Sequence, residues 1–492
     1  MITVKLNKPE FEYDIHSLIK AFYPAEEVYV SEKDKETEDV IDYHMDVVYG
    51  DADIALKFFK VNSDLTLETV SDTRISVNFE NRKETKNELK RALYRMLSDY
   101  TGQKLPWGNL TGIRPTKIPM TLLEEGKTDQ EIADYLRDTY EVSKEKTDLS
   151  IAIAKRELEL LKKLDYENGY SLYIGIPFCP STCLYCSFTS YPLGIWKNRM
   201  DDYLTALEKE IEFTAVKFAH KKLNTIYIGG GTPTTLTAPQ LDRLIRKIKC
   251  SFDLSYLVEF TLEAGRPDSI TEDKLKVLRR HGIDRISINP QTMKQATLDL
   301  VGRRHTVEQT VESFQLARSL GFTNINMDLI VGLPEETIED VANTMERLRE
   351  LDPDSITVHS LAIKRAARLR MFQDDYKNYK IVNTKEHIDL TARITEEMGL
   401  EPYYLYRQKN MAGNFENVGY AKPGKAGIYN ILIMEEKQTI MALGAGATTK
   451  FVFEHATRME RVENVKDINN YLERTDEMIY RKIRKMEEIS WH

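Results

Sequence analysis

The chain has 492 residues, 41% of them hydrophobic, and a formal net charge of −9. A chain of this length and composition is expected to form roughly two or three domains with ordinary apolar cores. The negative charge gives no general reason to bind nucleic acid or an anionic membrane surface. The apolar run at residues 1–6 is too short for a signal peptide, and no apolar stretch is long enough to span a bilayer. We therefore expect a soluble, cytoplasmic protein.

The first part of the chain, up to about residue 165, predicts a small α+β domain. It contains no cysteine and no cluster of residues typical of a catalytic site, so its sequence does not indicate its role. Alternating apolar and polar residues predict strands, and apolar residues at helical spacing predict helices. The predicted strands are 2–6, 40–49 and 53–61, and the predicted helices are 13–22 and 82–100.

A segment rich in turn-forming residues follows at 105–117 and contains Trp107. Its simplest interpretation is an ordered linker in which the Trp107 ring packs against a core. The alternative is that Arg114 and Lys117 meet an anionic group, and we favour the linker. Residues 128–164 are highly charged and predict further helices.

Three of the four cysteines, Cys179, Cys183 and Cys186, lie in one short loop. A β-branched run at 172–176 leads into this loop, and Pro177 ends the strand because proline cannot donate to a sheet ladder. Thiolates are the usual ligands of iron–sulfur clusters. Three thiolates on a compact loop can hold three corners of a four-iron cluster, which leaves one iron open for a chelating small molecule.

Disulfide bonds and a structural zinc site fit the cysteine loop less well than a cluster does. Three neighbouring cysteines cannot all form disulfides with one another, and disulfides are rare in cytosolic proteins. Structural zinc sites usually have four ligands, often in two pairs, and neither a second pair nor a histidine lies in this loop. The remaining cysteine, Cys250, stands alone in a basic helical segment, and we predict no cofactor role for it.

Strands and helices alternate from residue 171 to about 362, which predicts an α/β domain at residues 166–365. Six strand–helix units indicate a parallel sheet curled into a partial (β/α)6 barrel, whose site lies at the carboxyl ends of the strands. The predicted strands are 172–176, 225–228, 258–263, 285–289, 324–330 and 355–361, and helices are predicted between them, for example at 200–218, 240–249 and 307–320.

Chemically distinctive residues lie at the ends of these predicted strands. Residues 229–231 are all glycine, which lets the backbone approach a ligand closely. Glu263 ends the third strand and Asp328 lies inside the apolar fifth strand, where a buried carboxylate needs a partner. Arg303 could bind a carboxylate in bidentate fashion, although a solvated helix end is the simpler interpretation of an arginine at this position.

Together these motifs resemble those of the radical S-adenosylmethionine (SAM) enzymes. That family has the same cysteine spacing with an aromatic residue, here Tyr185, before the last cysteine. The string Tyr-Ile-Gly-Ile-Pro-Phe-Cys at 173–179 is similar to that of the oxygen-independent coproporphyrinogen III oxidase branch. Two positions depart from the oxidases: Gly175 replaces a histidine, and Phe188 stands where they carry a fourth cysteine, as in the haem-chaperone branch. The N-terminal portion resembles the extension of the HemZ-type coproporphyrinogen dehydrogenases.

The resemblance implies a [4Fe-4S] cluster held by Cys179, Cys183 and Cys186, with SAM on its open iron. The family's glycine turn receives the amino group of SAM, and the resemblance places further SAM contacts at every strand of the core. The implied cofactor-binding residues are Tyr173, Phe178, Gly230, Gly231, Thr232, Glu263, Gln291, Arg303, Asp328 and Ala362.

The resemblance also implies a reaction. The expected activity is the oxidative decarboxylation of coproporphyrinogen III to protoporphyrinogen IX in haem biosynthesis, with a flavodoxin- or ferredoxin-like electron donor. Because Phe188 replaces the fourth cysteine, two alternatives stay open. One is another radical SAM reaction on a tetrapyrrole, such as methyl transfer or ring opening. The other is a haem-binding chaperone without turnover.

Residues 366–492 predict a small C-terminal α+β domain on the substrate side. A strand is predicted at 403–409, paired strands at 428–434 and 439–443, and a last helix at 468–486. The small-residue run that begins at 443 resembles a motif of the family's second domain. Several basic and aromatic residues could meet the propionates of a porphyrinogen or could belong to a surface loop: Arg407, Lys409, Tyr420, Lys422 and Lys425.

Overall fold

The structure is a computed structural model that describes residues 1–33, 40–283, 285–362, 367, 379–408, 415–454 and 456–489. The chain divides into two compact units, Met1–Ala154 and Lys155–His492. Among the described residues, no helix combines the length and the apolar character that a bilayer crossing requires.

The first unit is an α+β arrangement around one mixed sheet. Its strands lie in the order β2-β1-β3-β4-β5, with β1 parallel to both neighbours and the other pairs antiparallel. Apolar residues of α1 and α2 pack with this sheet in one core. The elements are β1 (Ile2–Leu6), α1 (Glu12–Phe22), β2 (Val28–Ser31), β3 (Tyr43–Tyr49), β4 (Asp53–Val61), β5 (Leu67–Ser76), α2 (Arg82–Thr101), α3 (Lys117–Glu124) and α4 (Asp129–Tyr140), followed by α5 (Lys144–Leu161), which begins in this unit and ends in the next.

The linker interpretation of 105–117 agrees with the position of Trp107, whose side chain is 1% exposed. Backbone hydrogen bonds within turns shape the segment, including Gly108 N to the Leu105 carbonyl at 2.9 Å. An apolar ring held in this way stabilises the segment through burial.

The second unit contains the predicted parallel sheet. Strands β6, β9, β10, β11, β12 and β13 are neighbours in chain order and run parallel, and β16 joins them parallel to β6. Antiparallel strands extend both sides, β15 and β14 next to β13, and β17 and β18 next to β16. The strands are β6 (Gly169–Ile176), β7 (Phe178–Cys179), β8 (Tyr191–Pro192), β9 (Lys222–Gly230), β10 (Glu259–Gly265), β11 (Arg285–Ile288), β12 (Asn324–Val331), β13 (Ser355–Ser360), β14 (Glu401–Tyr406), β15 (Asn417–Ala421), β16 (Thr439–Leu443), β17 (Thr448–Phe453) and β18 (Arg458–Glu463).

Helices lie between these strands, and three of them begin at a threonine that caps the helix. The side chains of Thr237, Thr306 and Thr337 each accept a hydrogen bond from the backbone three residues on, in a capping box. The helices are α6 (Leu193–Trp196), α7 (Met200–Lys217), α8 (Ala238–Ser251), α9 (Glu272–Arg280), α10 (Gln295–Leu300), α11 (Val307–Ser319), α12 (Ile338–Leu351), α13 (Lys385–Glu397), α14 (Ile428–Glu435), α15 (Ile468–Glu473) and α16 (Thr475–Glu488). The alternation confirms the predicted α/β fold of six strand–helix units.

The prediction of paired strands at 428–434 and 439–443 is wrong in its first half. The first segment is helix α14, whereas the second is a strand that pairs with β6 and β17. Ile431 and Leu432 of α14 are fully buried against Tyr403. A short run that is apolar on all sides carries no period, so burial rather than sequence pattern selected the helix.

Candidate functional site

A cavity of about 610 Å³ lies among the parallel strands of the second unit and reaches their carboxyl ends. Its volume is in the range of small-molecule binding sites. The predicted cofactor residues meet on its wall, with the exception of Phe178. Those that line it are Tyr173, Cys179, Cys183, Cys186, Gly230, Gly231, Thr232, Glu263, Gln291, Arg303, Asp328 and Ala362.

Backbone contacts hold the cysteine loop at the edge of this cavity. Leu184 N donates to the Val301 carbonyl at 2.9 Å, and Cys186 N donates to the Cys183 carbonyl at 3.2 Å. The Thr232 hydroxyl lies 3.5 Å from the Cys179 sulfur, which ties the loop to the glycine turn after β9. The three thiols therefore face one space from one short segment.

Burial changes the chemistry of these thiols. It raises the pKa of Cys179 to about 11, although the hydrogen bond from Thr232 acts in the opposite direction. A metal that binds such a thiol must displace its proton, so cluster assembly releases protons. No group of three His, Cys, Asp or Glu side chains in the described ranges is already gathered tightly enough to hold a metal ion. The fit of the cluster therefore rests on the shared loop, the shared cavity and the donor chemistry.

Arg266 is a site residue that the sequence motifs did not indicate. It is 3% exposed, and its Nη1 atom lies 2.7 Å from Ser181 Oγ and 3.9 Å from the Cys183 sulfur. The Asp268 carboxylate accepts from its other nitrogens. A buried guanidinium beside thiolates offsets their negative charge. Its position three residues after Glu263, at the end of β10, was the signal that could have identified it.

The glycine turn after β9 brings backbone close to the cysteine loop. Gly230 has a φ of +107°, a conformation that other residues rarely adopt. A Cβ at Gly231 would lie 2.7 Å from the carbonyl oxygen of Phe178. The turn therefore requires glycine at both positions, and it forms a cradle on the cavity wall.

Phe178 itself does not line the cavity. Its side chain is fully buried, with its ring 5.1 Å from that of Tyr203 in an edge-on contact. Its carbonyl accepts from Thr232 N at 2.7 Å, which joins the cysteine loop to the glycine turn. In this structure Phe178 supports the site, and a direct SAM contact stays a prediction.

Two half-buried carboxylates, Glu263 and Asp328, face the cavity in different protonation environments. Burial raises the pKa of Glu263 to about 7, with a contribution from the negative charge of Asp328. Burial alone would raise the pKa of Asp328 too, but the nearby His359 imidazole and the hydrogen bond from Asn326 outweigh it and leave that pKa below its usual value. The Asn326 amide donates to Asp328 at 2.7 Å, and His359 Nε2 lies 3.8 Å from it.

Gln291 and Arg303 line the cavity after β11. Gln291 has a φ of +67° and forms a bridge to β12. Its backbone N–H donates to the backbone carbonyl of Asp328 at 2.9 Å. The buried Oε1 atom of Gln291 has no hydrogen-bond partner among the described residues. Arg303 donates to the Asn289 carbonyl and to the Tyr185 hydroxyl. A buried acceptor without a partner is costly, so Gln291 Oε1 is suited to a bound ligand that donates a hydrogen bond.

Three tyrosines from distant parts of the chain stack on the cavity wall. The rings of Tyr173 and Tyr227 are 6.3 Å apart, and Tyr227 lies 4.5 Å from Tyr429, with interplanar angles below 20°. Of these only Tyr173 was predicted. Tyr429 comes from α14, a segment predicted to be a strand, so its approach to the site could not be foreseen.

Four of the five residues that could have met propionate groups are described by the structure, and these four do not line the cavity. Lys422 pairs with Asp352 at 2.6 Å, and Lys425 donates to the Thr323 carbonyl at 2.7 Å. Arg407 is buried, and burial lowers its pKa to about 10. Tyr420 is buried as well, and Lys409 lies outside the described residues.

Comparisons with known proteins identify the same region. The Radical SAM superfamily matches residues 173–348. The oxygen-independent coproporphyrinogen-III oxidase-like protein HemZ of Bacillus subtilis is 41% identical over 411 residues, which cover 83% of this chain and 82% of that protein. The heme chaperone HemW of the same organism is 40% identical over 198 residues, 39% of this chain and 51% of the chaperone.

A solved structure of a related enzyme supports the same fold. Coproporphyrinogen III oxidase HemN from Escherichia coli, described as a radical SAM enzyme, matches with a TM-score of 0.51 and 25% sequence identity. The match covers 65% of this chain and 73% of HemN. The expected cofactors, a [4Fe-4S] cluster and SAM, are those of the superfamily. The chain therefore belongs to the radical SAM superfamily, and within it to the family of the coproporphyrinogen III oxidase HemN, its HemZ-type relatives and the heme chaperones.

Proposed function

We propose that this protein converts coproporphyrinogen III to protoporphyrinogen IX without oxygen, by oxidative decarboxylation, in the haem biosynthesis of the cytoplasm. The observation that carries the proposal is the continuity of the cavity. From the cysteine loop it extends to aromatic residues of the C-terminal strands, so the proposed cofactor end and the proposed substrate end belong to one space. The match to HemZ is longer than the second compact unit, so it includes part of the first unit as well.

Different residues of the chain would hold the two cofactors. Cys179, Cys183 and Cys186 would hold the cluster, and the glycine turn and the polar residues at the strand ends would orient SAM. When bound and reduced by one electron, these cofactors would supply the radical chemistry that activates an unreactive C–H bond. The protein orients the reacting groups and excludes water, while the cofactors supply the difficult chemistry.

The substrate side would be the aromatic wall formed by β14. The rings of Tyr404 and Tyr406 are 6.1 Å apart and nearly parallel, and both line the cavity. His359 reaches the Tyr406 hydroxyl from β13 at 3.3 Å. Stacked aromatic rings with a few polar groups suit a tetrapyrrole, whose macrocycle is mostly apolar and whose edge carries carboxylates.

The test is an anaerobic assay of the reconstituted protein with coproporphyrinogen III, SAM and a reductant. We expect protoporphyrinogen IX, with two propionate side chains converted to vinyl groups and two CO2 released per product. We also expect 5′-deoxyadenosine in step with product. Cleavage of SAM without decarboxylation would instead indicate another tetrapyrrole reaction, such as methyl transfer or ring opening.

A second candidate function is haem binding without turnover. Phe188 favours it, because this residue stands in the place of the oxidases' fourth cysteine and its side chain, 70% exposed, lies at the cavity wall. Retention of haem with no SAM cleavage under reducing conditions would select the chaperone function. In either case we propose a small flavodoxin- or ferredoxin-like protein as the source of electrons for the cluster.

A further inference from the structure

Glu263 is held in place by contacts from the neighbouring strand β9. The Tyr227 hydroxyl on β9 donates to Glu263 Oε1 at 2.5 Å, and the Gly230 amide also hydrogen-bonds this carboxylate. A Cβ at Gly229 would lie 2.7 Å from the Tyr227 ring and 3.1 Å from the Glu263 carboxyl carbon. The two side chains therefore lie directly against the backbone of the glycine turn, in a space that only glycine leaves open.

The ring of Tyr227 is in turn fixed by its stacking partners. Tyr429 lies against it at 4.5 Å with an interplanar angle of 19°, and Tyr173 lies at 6.3 Å and 15°. A ring packed against two other rings keeps one orientation, so its hydroxyl points at one acceptor. The Tyr227 hydroxyl is thus a preorganised donor for Glu263.

We infer that Tyr227 is a positioning residue for the SAM site. By donating to Oε1 it stabilises the ionised form of Glu263 and holds that carboxylate at the glycine turn, ready to accept a hydrogen bond from an amino group. The inference deepens the proposed function, since it rests on SAM binding at this turn. It assigns to Tyr227 a role in cofactor affinity that none of the motifs indicates.

The electrostatic surroundings of Glu263 make the role of Tyr227 measurable. Burial raises the pKa of Glu263 to about 7, and the bond from Tyr227 acts against that rise. The other charged or titratable groups that face Glu263 are Asp328 on β12, His359 on β13, Tyr173 on β6 and Tyr429 on α14. A carboxyl group in this range changes its ionisation near neutral pH, so loss of one donor changes how much carboxylate is available there.

The experiment compares SAM binding by wild type and Tyr227→Phe across pH 5.5 to 9, with anaerobically reconstituted protein and equilibrium dialysis. Phenylalanine keeps the ring stack and removes only the donor. A hydrogen bond to a charged group corresponds to about one pKa unit or more. We expect the midpoint of the pH-dependent affinity to rise by about one unit in the variant, and affinity at pH 7 to fall by about fivefold. Ionisation of SAM itself affects both proteins equally.

Two further variants separate this role from a structural one. Tyr170→Phe removes another buried tyrosine hydroxyl from the same sheet, at a position that does not line the described cavity, and should leave the midpoint unchanged. Glu263→Gln removes the titrating group, so adding Tyr227→Phe to it should shift nothing further. Equal midpoints in wild type and Tyr227→Phe, at equal iron content, would overturn the inference. An equal shift from Tyr227→Phe with and without Glu263→Gln would overturn it too, whereas wild type that binds no SAM at any pH would refute the proposed function itself.

Discussion

At the scale of single residues, the four cysteines differ in their surroundings. Cys183 is buried and Cys179 and Cys186 are half-buried on one cavity wall, whereas Cys250 is exposed on α8. An isolated exposed thiol has no neighbours with which to share a cluster. The difference leads to a direct prediction for metal content.

Replacing any one of Cys179, Cys183 or Cys186 with alanine should abolish the cluster. Each thiolate holds one iron, and the remaining two cannot retain a four-iron cluster through one loop. After anaerobic reconstitution we expect about four irons per chain in wild type and close to none in these variants. The iron content and the visible absorption spectrum of each protein are the measurements. Cys250→Ala is the control and should keep full iron. Retention of the cluster by a loop variant together with its loss in Cys250→Ala would contradict the assignment.

Asp328 and Arg303 should matter for SAM and not for iron. Asp328 accepts from Asn326 and faces His359, and Arg303 is 4% exposed beneath Tyr185. Truncating one member of a buried charged contact typically costs about 2–5 kcal/mol. We therefore expect Asp328→Ala and Arg303→Ala to weaken SAM binding by at least about thirtyfold at unchanged iron content.

The surface variant Asp253→Ala is the control for that measurement. Asp253 bonds only locally, to Ser255 two residues on, among the contacts that the structure describes. Its SAM affinity should equal that of wild type. Wild-type affinity in Asp328→Ala and Arg303→Ala as well would assign both residues structural roles.

At the scale of elements, one buried ion pair joins two helices to the cavity wall. Glu210 of α7 and Lys482 of α16 are both fully buried and paired at 2.5 Å. Glu210 also accepts from the Gly444 amide at 2.8 Å and from the Tyr471 hydroxyl at 2.6 Å. Gly444 lies in the small-residue run that begins at residue 443, and later residues of this run line the cavity. This network therefore fixes the wall next to the cysteine loop.

Removing one partner of this pair should destabilise the second unit strongly. Glu210→Ala leaves the Lys482 ammonium buried without its counter-charge, a change that typically costs about 3–5 kcal/mol. We expect a clear fall in the thermal midpoint, measured by circular dichroism. The control is Arg484→Ala, which breaks a pair with Glu488 whose members are 61% and 47% exposed and should change stability by less than about 1 kcal/mol. Equal midpoints for the two variants would contradict the role of the network.

At the scale of the whole molecule, helix α5 decides where the chain can be divided. The boundary between the two compact units falls after Ala154, ahead of the boundary near residue 165 that the sequence predicts. Beyond that division, Arg156 pairs with Glu401 at 2.8 Å and Leu161 is buried beside Tyr403. The end of α5 thus belongs to the core of the second unit.

A protein that begins at Lys144 should therefore keep the cluster and cleave SAM with dithionite, a small reductant that needs no docking surface. A protein that begins at Asp165 loses the Arg156 and Leu161 contacts and should melt at a lower temperature. We also predict that the Lys144 protein loses turnover with a protein donor or with the full-size substrate. Full activity on both counts would assign the first unit to another task, such as assembly or regulation.

The sequence by itself determined the cysteine loop, the glycine turn and the order of the parallel strands. Cys179, Cys183 and Cys186 lie within one loop, and each strand carries its own apolar pattern, so these features are local. Because the carboxyl ends of parallel strands share one edge, the sequence also indicated that Glu263 and Asp328 would meet, and the family resemblance added Gln291 and Arg303.

Only the tertiary structure brought the remaining residues into the site. Tyr429 reaches Tyr227 from a segment that carries no period, and burial made it a helix. Arg266 beside Cys183, and Tyr227 beside Glu263, depend on distances between strands that no local pattern encodes. The ionisation of Glu263 likewise depends on burial and on neighbours from three other strands. These are properties of packing, which brings together residues far apart in the chain.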